Sequence, residues 1–96
     1  MSELTSKLTV YTKEWCPYCV QVKNQLADMH IEFEEINIED NAEQKAWIIE
    51  QGHTTMPQIY LEGDLFVKGG ADGLAKLSLY EIKERLNGYD LGDLSL

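Results

Sequence analysis

Short β-branched runs alternate along the chain with stretches of helical period. Lys7 to Thr12 reads Lys-Leu-Thr-Val-Tyr-Thr and predicts a short buried strand. Cys19, Val22, Leu26 and Met29 then recur at steps of three, four and three, one face of a helix running from Pro17 to His30. From Ile31 to Ile38, the apolar Ile31, Phe33, Ile36 and Ile38 are separated by glutamates, which predicts a second strand. Asn41 can cap a second helix that carries Ala42, Ala46 and Ile49 on one side and ends at Gly52. Pro57–Leu61 and Leu65–Val67 flank Glu62-Gly63-Asp64, a hairpin signal. Gly69-Gly70 breaks the chain, and a short helical turn is expected over Asp72–Lys76. Ser78-x-x-Glu81 has the form of a capping box for a last helix, which should reach Asn87 with Gly88 behind it. Residues 89–96 read as a loose tail.

The predicted order is β-α-β-α-β-β-α. Strands joined through a helix should be parallel with a right-handed crossover, and the hairpin strands antiparallel. The expected fold is therefore α/β: a four-stranded mixed sheet with helices on both faces, the three-layer layout of the thioredoxin fold. With 96 residues the chain has enough material for one domain, with a core spanning about residues 7–87.

Composition narrows the function classes. Hydrophobic residues make up 44% and charged residues 26% of the chain, an ordinary globular balance. A net charge of −9 argues against nucleic acid as a partner, because a phosphate-binding surface needs clustered Lys and Arg. Apolar runs fall short of the roughly 18–20 residues that span a bilayer. The segment Met1–Lys7 lacks a basic start followed by an apolar stretch. The expectation is a cytoplasmic monomer that contacts neither membrane nor nucleic acid.

The two cysteines are Cys16 and Cys19. A disulfide-stapled secreted domain would carry more, more widely spaced. The chain lacks the thiols for a four-cysteine zinc site, and His30 and His53 are not at zinc-finger spacing. Half of a shared metal site or two unrelated buried thiols remain alternatives. The pair sits where a strand gives way to a helix, and there unpaired N–H groups and the helix dipole stabilise a thiolate. The pKa of Cys16 should fall accordingly. Pro17 suits the first helical position, and Lys13 adds a nearby cation. Cys19, about one turn further in, lies within disulfide reach but is less exposed. The asymmetry makes Cys16 the attacking nucleophile and Cys19 the resolving thiol.

Cys16-Pro17-Tyr18-Cys19, preceded by Lys13, resembles the active site of dithiol glutaredoxins. Thr55-Met56-Pro57 resembles the family's Thr-Val-Pro, and Gly69-Gly70 its Gly-Gly, in the same order and at about the family's distances. The resemblance implies a glutathione-dependent oxidoreductase that reduces protein disulfides and glutathione mixed disulfides. Ribonucleotide reductase is one protein substrate that it suggests. It also implies a cis bond before Pro57, with the backbone of Met56 and neighbouring Thr55 set beside the active-site sulfur. Gly70, Ala71 and Asp72 would receive the γ-glutamyl end of glutathione, with Asp72 capping a helix and meeting the ligand's ammonium group. Lys13 and Gln44 would contact its glycine carboxylate, and Tyr18 would line the cleft rim. Glutathione is the expected cosubstrate, and no metal is expected, since Pro17 disfavours the iron–sulfur assembly that some relatives form. The sequence departs from the pattern at Gly73, where a second polar residue is usual, and at Lys68, where an aliphatic one is. His53 reads as a surface-loop residue, and Trp47 as packing or partial surface.

Overall fold

The computed structural model describes residues 7–91, with side chains through residue 86. Four strands, β1 (Leu8–Thr12), β2 (Phe33–Asn37), β3 (Gln58–Leu61) and β4 (Asp64–Leu65), form one sheet in the order β2-β1-β3-β4. β1 pairs parallel with β2 and antiparallel with β3, and β3 pairs antiparallel with β4. Helices α1 (Pro17–Asp28), α2 (Ala42–Glu50), α3 (Gly70–Ala75) and α4 (Leu79–Leu91) complete the chain. This is the expected mixed sheet of the thioredoxin fold.

The central strands are buried on both faces, and their alternation assigns residues to two cores. Leu8 and Val10 of β1 and Ile59 and Leu61 of β3 join Val22, Leu26, Leu74 and Ile82 from α1, α3 and α4. Tyr11 and Tyr60 point the other way and pack with Ile38, Ile48 and Trp47. There Tyr11 stacks on Trp47 with ring centroids 5.7 Å apart, and Tyr60 meets both rings edge-on. α2 therefore covers one face of the sheet, and the other three helices cover the opposite face.

Helix ends follow local chemistry. α1 stops at Asp28, before the expected His30, because the chain turns left-handed at His30, with φ 58°. The His30 and Ile31 N–H groups donate back to the carbonyls of Ala27 and Leu26, closing a Schellman motif sealed by the buried Leu26 and Ile31. The backbone amide of His30 closes the helix end. At Gly52, with φ 95°, the end of α2 repeats the motif through Ile49 and Ile48. The capping box is present, since Ser78 N–H donates to Glu81 Oε1 at 2.9 Å and Glu81 N–H to Ser78 Oγ at 3.1 Å.

Three further boundaries and one face differ from the sequence reading. α4 runs to Leu91, because a single glycine such as Gly88 costs a helix interior only about 1 kcal/mol. Of the supposed tail, residues 92–96 lie outside the described residues. β4 ends at Leu65, because Val67 turns down into the core to lead into α3. α3 begins at Gly70, with Gly69 at its N-cap position, so Asp72 lies inside the first turn and is not the cap. On α2 the buried residue is Ile48; Ala42, Ala46 and Ile49 are exposed. Aromatic residues of the sheet offer more surface to Ile48 and Trp47 than a small alanine stripe could fill.

Candidate active site

Cys16 occupies the N-cap position of α1, where β1 has just ended. Its sulfur accepts the Cys19 N–H at 3.1 Å, one of the donors that a helix start leaves unpaired. In the reduced protein that N–H and the helix dipole stabilise a thiolate on Cys16. Here the two sulfurs are joined in a Cys16–Cys19 disulfide with Cα atoms 5.2 Å apart, so the spacing is competent to cycle. Cys16 is 8% exposed and Cys19 2%, the order expected of an attacking and a resolving thiol.

The Met56–Pro57 peptide bond is cis, as the resemblance implied. It sets the Met56 carbonyl oxygen 3.7 Å from Cys16 Sγ. Gly70 packs against this loop so closely that a Cβ there would lie 2.7 Å from the Pro57 carbonyl oxygen, and its φ of 55° also favours glycine. Sheet, loop and α3 are thereby locked around one sulfur.

A groove of about 720 Å³ opens at this point. It brings together Lys13, Cys16 and Tyr18 with Thr55, Met56 and Pro57, and with Gly70, Ala71 and Asp72 beyond them. Gln44 sits in the first turn of α2, its backbone N–H donating to the Asn41 cap at 3.2 Å, and does not line the groove. Cys19 lies behind Cys16 and lines a shallower groove on the other side of the disulfide.

His53 and Trp15 lie at the groove, and Glu35 behind it is a residue that the sequence did not flag. His53 lines the main groove and is half-buried, its Nε2 within 2.6 Å of the Tyr60 hydroxyl. Burial pushes the Tyr60 hydroxyl pKa up, so Tyr60 stays a neutral partner for the imidazole. Trp15 stands 94% exposed beside Cys16 with φ 54°, a left-handed conformation that throws the indole outward. On the far side, Glu35 of β2 accepts hydrogen bonds from Thr12 Oγ1 at 2.8 Å and from Lys23 Nζ at 3.0 Å. Thr12, 1% exposed and next to the catalytic loop, was the available signal, because a buried hydroxyl requires a partner.

Burial works against the Glu35 carboxylate, but the Thr12 hydroxyl and the Lys23 ammonium outweigh it and hold its pKa below the ordinary value. A carboxylate with a depressed folded pKa contributes stability above its unfolded pKa, and that contribution is lost as pH falls through the folded value. Glu35→Gln should therefore flatten the acid limb of the stability curve. At neutral pH, because the pair is partly exposed, it should cost no more than about 1 kcal/mol. Thermal melts of both proteins from neutral pH to about pH 3 measure this. Superimposable acid limbs would remove Glu35 from the account.

Comparison with known proteins agrees with this geometry. A family model described as Glutaredoxin matches residues 8–66. Glutaredoxin 3 of Escherichia coli strain K12 is 37% identical over 73 residues, covering 75% of this chain and 86% of its own length. The solution structure of a glutaredoxin from Brucella melitensis superposes with a TM-score of 0.59 at 31% identity, covering 91% of this chain and 88% of that one. Buckwheat glutaredoxin, solved as a glutathione complex, shares the fold with a TM-score of 0.67 at 23% identity, covering 85% of this chain and 77% of its own.

Fold and site define a thioredoxin-fold protein with a redox-active dithiol at a helix start. The chain belongs to the glutaredoxin family. Membership implies thiol–disulfide oxidoreductase activity.

Proposed function

We propose that this protein is a glutathione-dependent oxidoreductase that reduces protein disulfides and glutathione mixed disulfides in the cytoplasm. The observation that carries the reading is the Met56 backbone set 3.7 Å from Cys16 Sγ at the centre of a groove. An extended cysteinyl segment can pair there with the main chain and bring its sulfur to Cys16. The fold shared with buckwheat glutaredoxin, solved with glutathione, is in keeping with this ligand.

In the monothiol route, the Cys16 thiolate attacks the glutathione sulfur of a mixed disulfide and expels the protein thiolate. A second glutathione thiolate then attacks the Cys16–glutathione bond, regenerating Cys16 and releasing glutathione disulfide. In the dithiol route, Cys16 attacks a protein disulfide and Cys19 resolves the mixed disulfide, leaving the Cys16–Cys19 bond for two glutathione molecules to reduce. Potentials of roughly −200 to −230 mV, usual for glutaredoxins, lie close enough to the glutathione pool for the Cys16–Cys19 bond of the dithiol route to be reduced by it. Ribonucleotide reductase is a candidate protein substrate on family resemblance.

The donor is tested by supplying either glutathione with its reductase or a thioredoxin reductase and following reduction of a glutathionylated peptide. Sustained turnover with glutathione alone is expected. Turnover only with the thioredoxin reductase would replace glutathione as the electron donor and overturn the proposal.

A further inference from the structure

The groove holds charge of both signs in a particular proportion. Its fixed charges are Lys13 and Lys68, which are cationic, and Asp72, which is anionic. Among the described residues these side chains have no hydrogen-bond or ion-pair partner. Glutathione carries the inverse set, two carboxylates and one ammonium group. Two unpaired cations in one groove are notable in a chain of net charge −9, whose long-range field opposes an anionic ligand.

Lys68 and Gly73, the two departures from the family pattern, meet in three dimensions through the Lys68 backbone. A Cβ at Gly73 would collide with the Lys68 carbonyl oxygen and lie 3.0 Å from Val67 Cγ2. The backbone path that brings Lys68 to the groove thus excludes a side chain at position 73. Where the family pattern has a second polar residue, this chain offers the Lys68 ammonium from the turn before the helix.

We propose that Lys68 is a specificity residue that binds the α-carboxylate of the γ-glutamyl group, compensating for the missing side chain at Gly73. Asp72 meets the ammonium on the same carbon, and Lys13, which also lines the groove, takes the glycine carboxylate. The inference rests on the glutathione reading above and assigns one of its contacts to a residue outside the family motif.

The test compares one peptide in two forms, carrying either a glutathione or a cysteinylglycine mixed disulfide. The latter lacks the γ-glutamyl group but keeps the sulfur and the glycine carboxylate. Lys68→Ala should raise KM for the glutathionylated form about three- to fivefold, the range of an exposed ion pair, without changing kcat. KM for the cysteinylglycine form should stay unchanged, and Lys68→Arg should retain most of the discrimination. Equal increases for both substrates would show that Lys68 acts only through the general field, and no change in either would show that it makes no contact. Both results overturn the assignment. Wild-type protein that does not distinguish the two substrates would instead overturn the glutathione reading itself.

Discussion

Cys16→Ser should abolish disulfide reduction, by a factor on the order of a thousand or more, because a serine hydroxyl at neutral pH supplies no nucleophile to replace the thiolate. The substitution removes the acceptor of the 3.1 Å bond from Cys19 N–H only in part, since a serine oxygen also caps a helix. The fold should survive, which circular dichroism of the variant can check. Cys19→Ser should behave differently. Without a resolving thiol, protein disulfides should stall as mixed disulfides on Cys16, while glutathionylated substrates continue to turn over through a second glutathione. Trapping of the mixed disulfide by mass spectrometry and the two activity assays separate these outcomes. Substantial activity in Cys16→Ser would assign the nucleophile wrongly. Full dithiol activity in Cys19→Ser would remove the resolving role.

Leu74→Ala should cause the largest loss of stability that also reaches the site. Leu74 is fully buried on α3, and its carbonyl accepts the Gln25 Nε2 hydrogen bond at 2.9 Å, tying α3 to α1. Truncating a buried leucine costs about 2–5 kcal/mol, through lost transfer energy and the cavity left behind. That is a large fraction of the roughly 5–15 kcal/mol that holds a small domain together. A drop in melting temperature of about 10 °C or more is expected. Because α3 carries Gly70 against the Pro57 carbonyl, the variant should also bind glutathione, the proposed cosubstrate, less well. KM should rise with kcat largely retained. A melting temperature within a few degrees of wild type would mean that α3 is not anchored through Leu74.

Most of the fold was legible because its elements are written locally. The β-branched run of β1, the three-four-three spacing after Cys19 and the Ser78–Glu81 box each depend on neighbours within about one helical turn. The errors arose where a distant surface decided the outcome. The buried side of α2 is Ile48 and Trp47 because Tyr11 and Tyr60 from two strands present aromatic rings there. β4 stops at Leu65 because Val67 is drawn into the core against the helices. His53 is drawn half into the structure because Tyr60, seven residues on and in the sheet, offers it a hydroxyl.

The same division runs through the site. The pairing of Cys16 with Cys19 and their unequal exposure were readable from the chain, since a three-residue spacing at the start of a helix already makes two thiols unequal. What the spacing could not contain is the 3.7 Å approach of Met56, forty residues away, or the closure of Gly70 on Pro57. Nor could it show that Lys68 and Gly73 answer to one backbone contact, which the sequence presents as two unrelated departures. A thiolate is tuned by groups within a turn of it, whereas a groove for its substrate is made of segments that meet only when the sheet and α3 have packed.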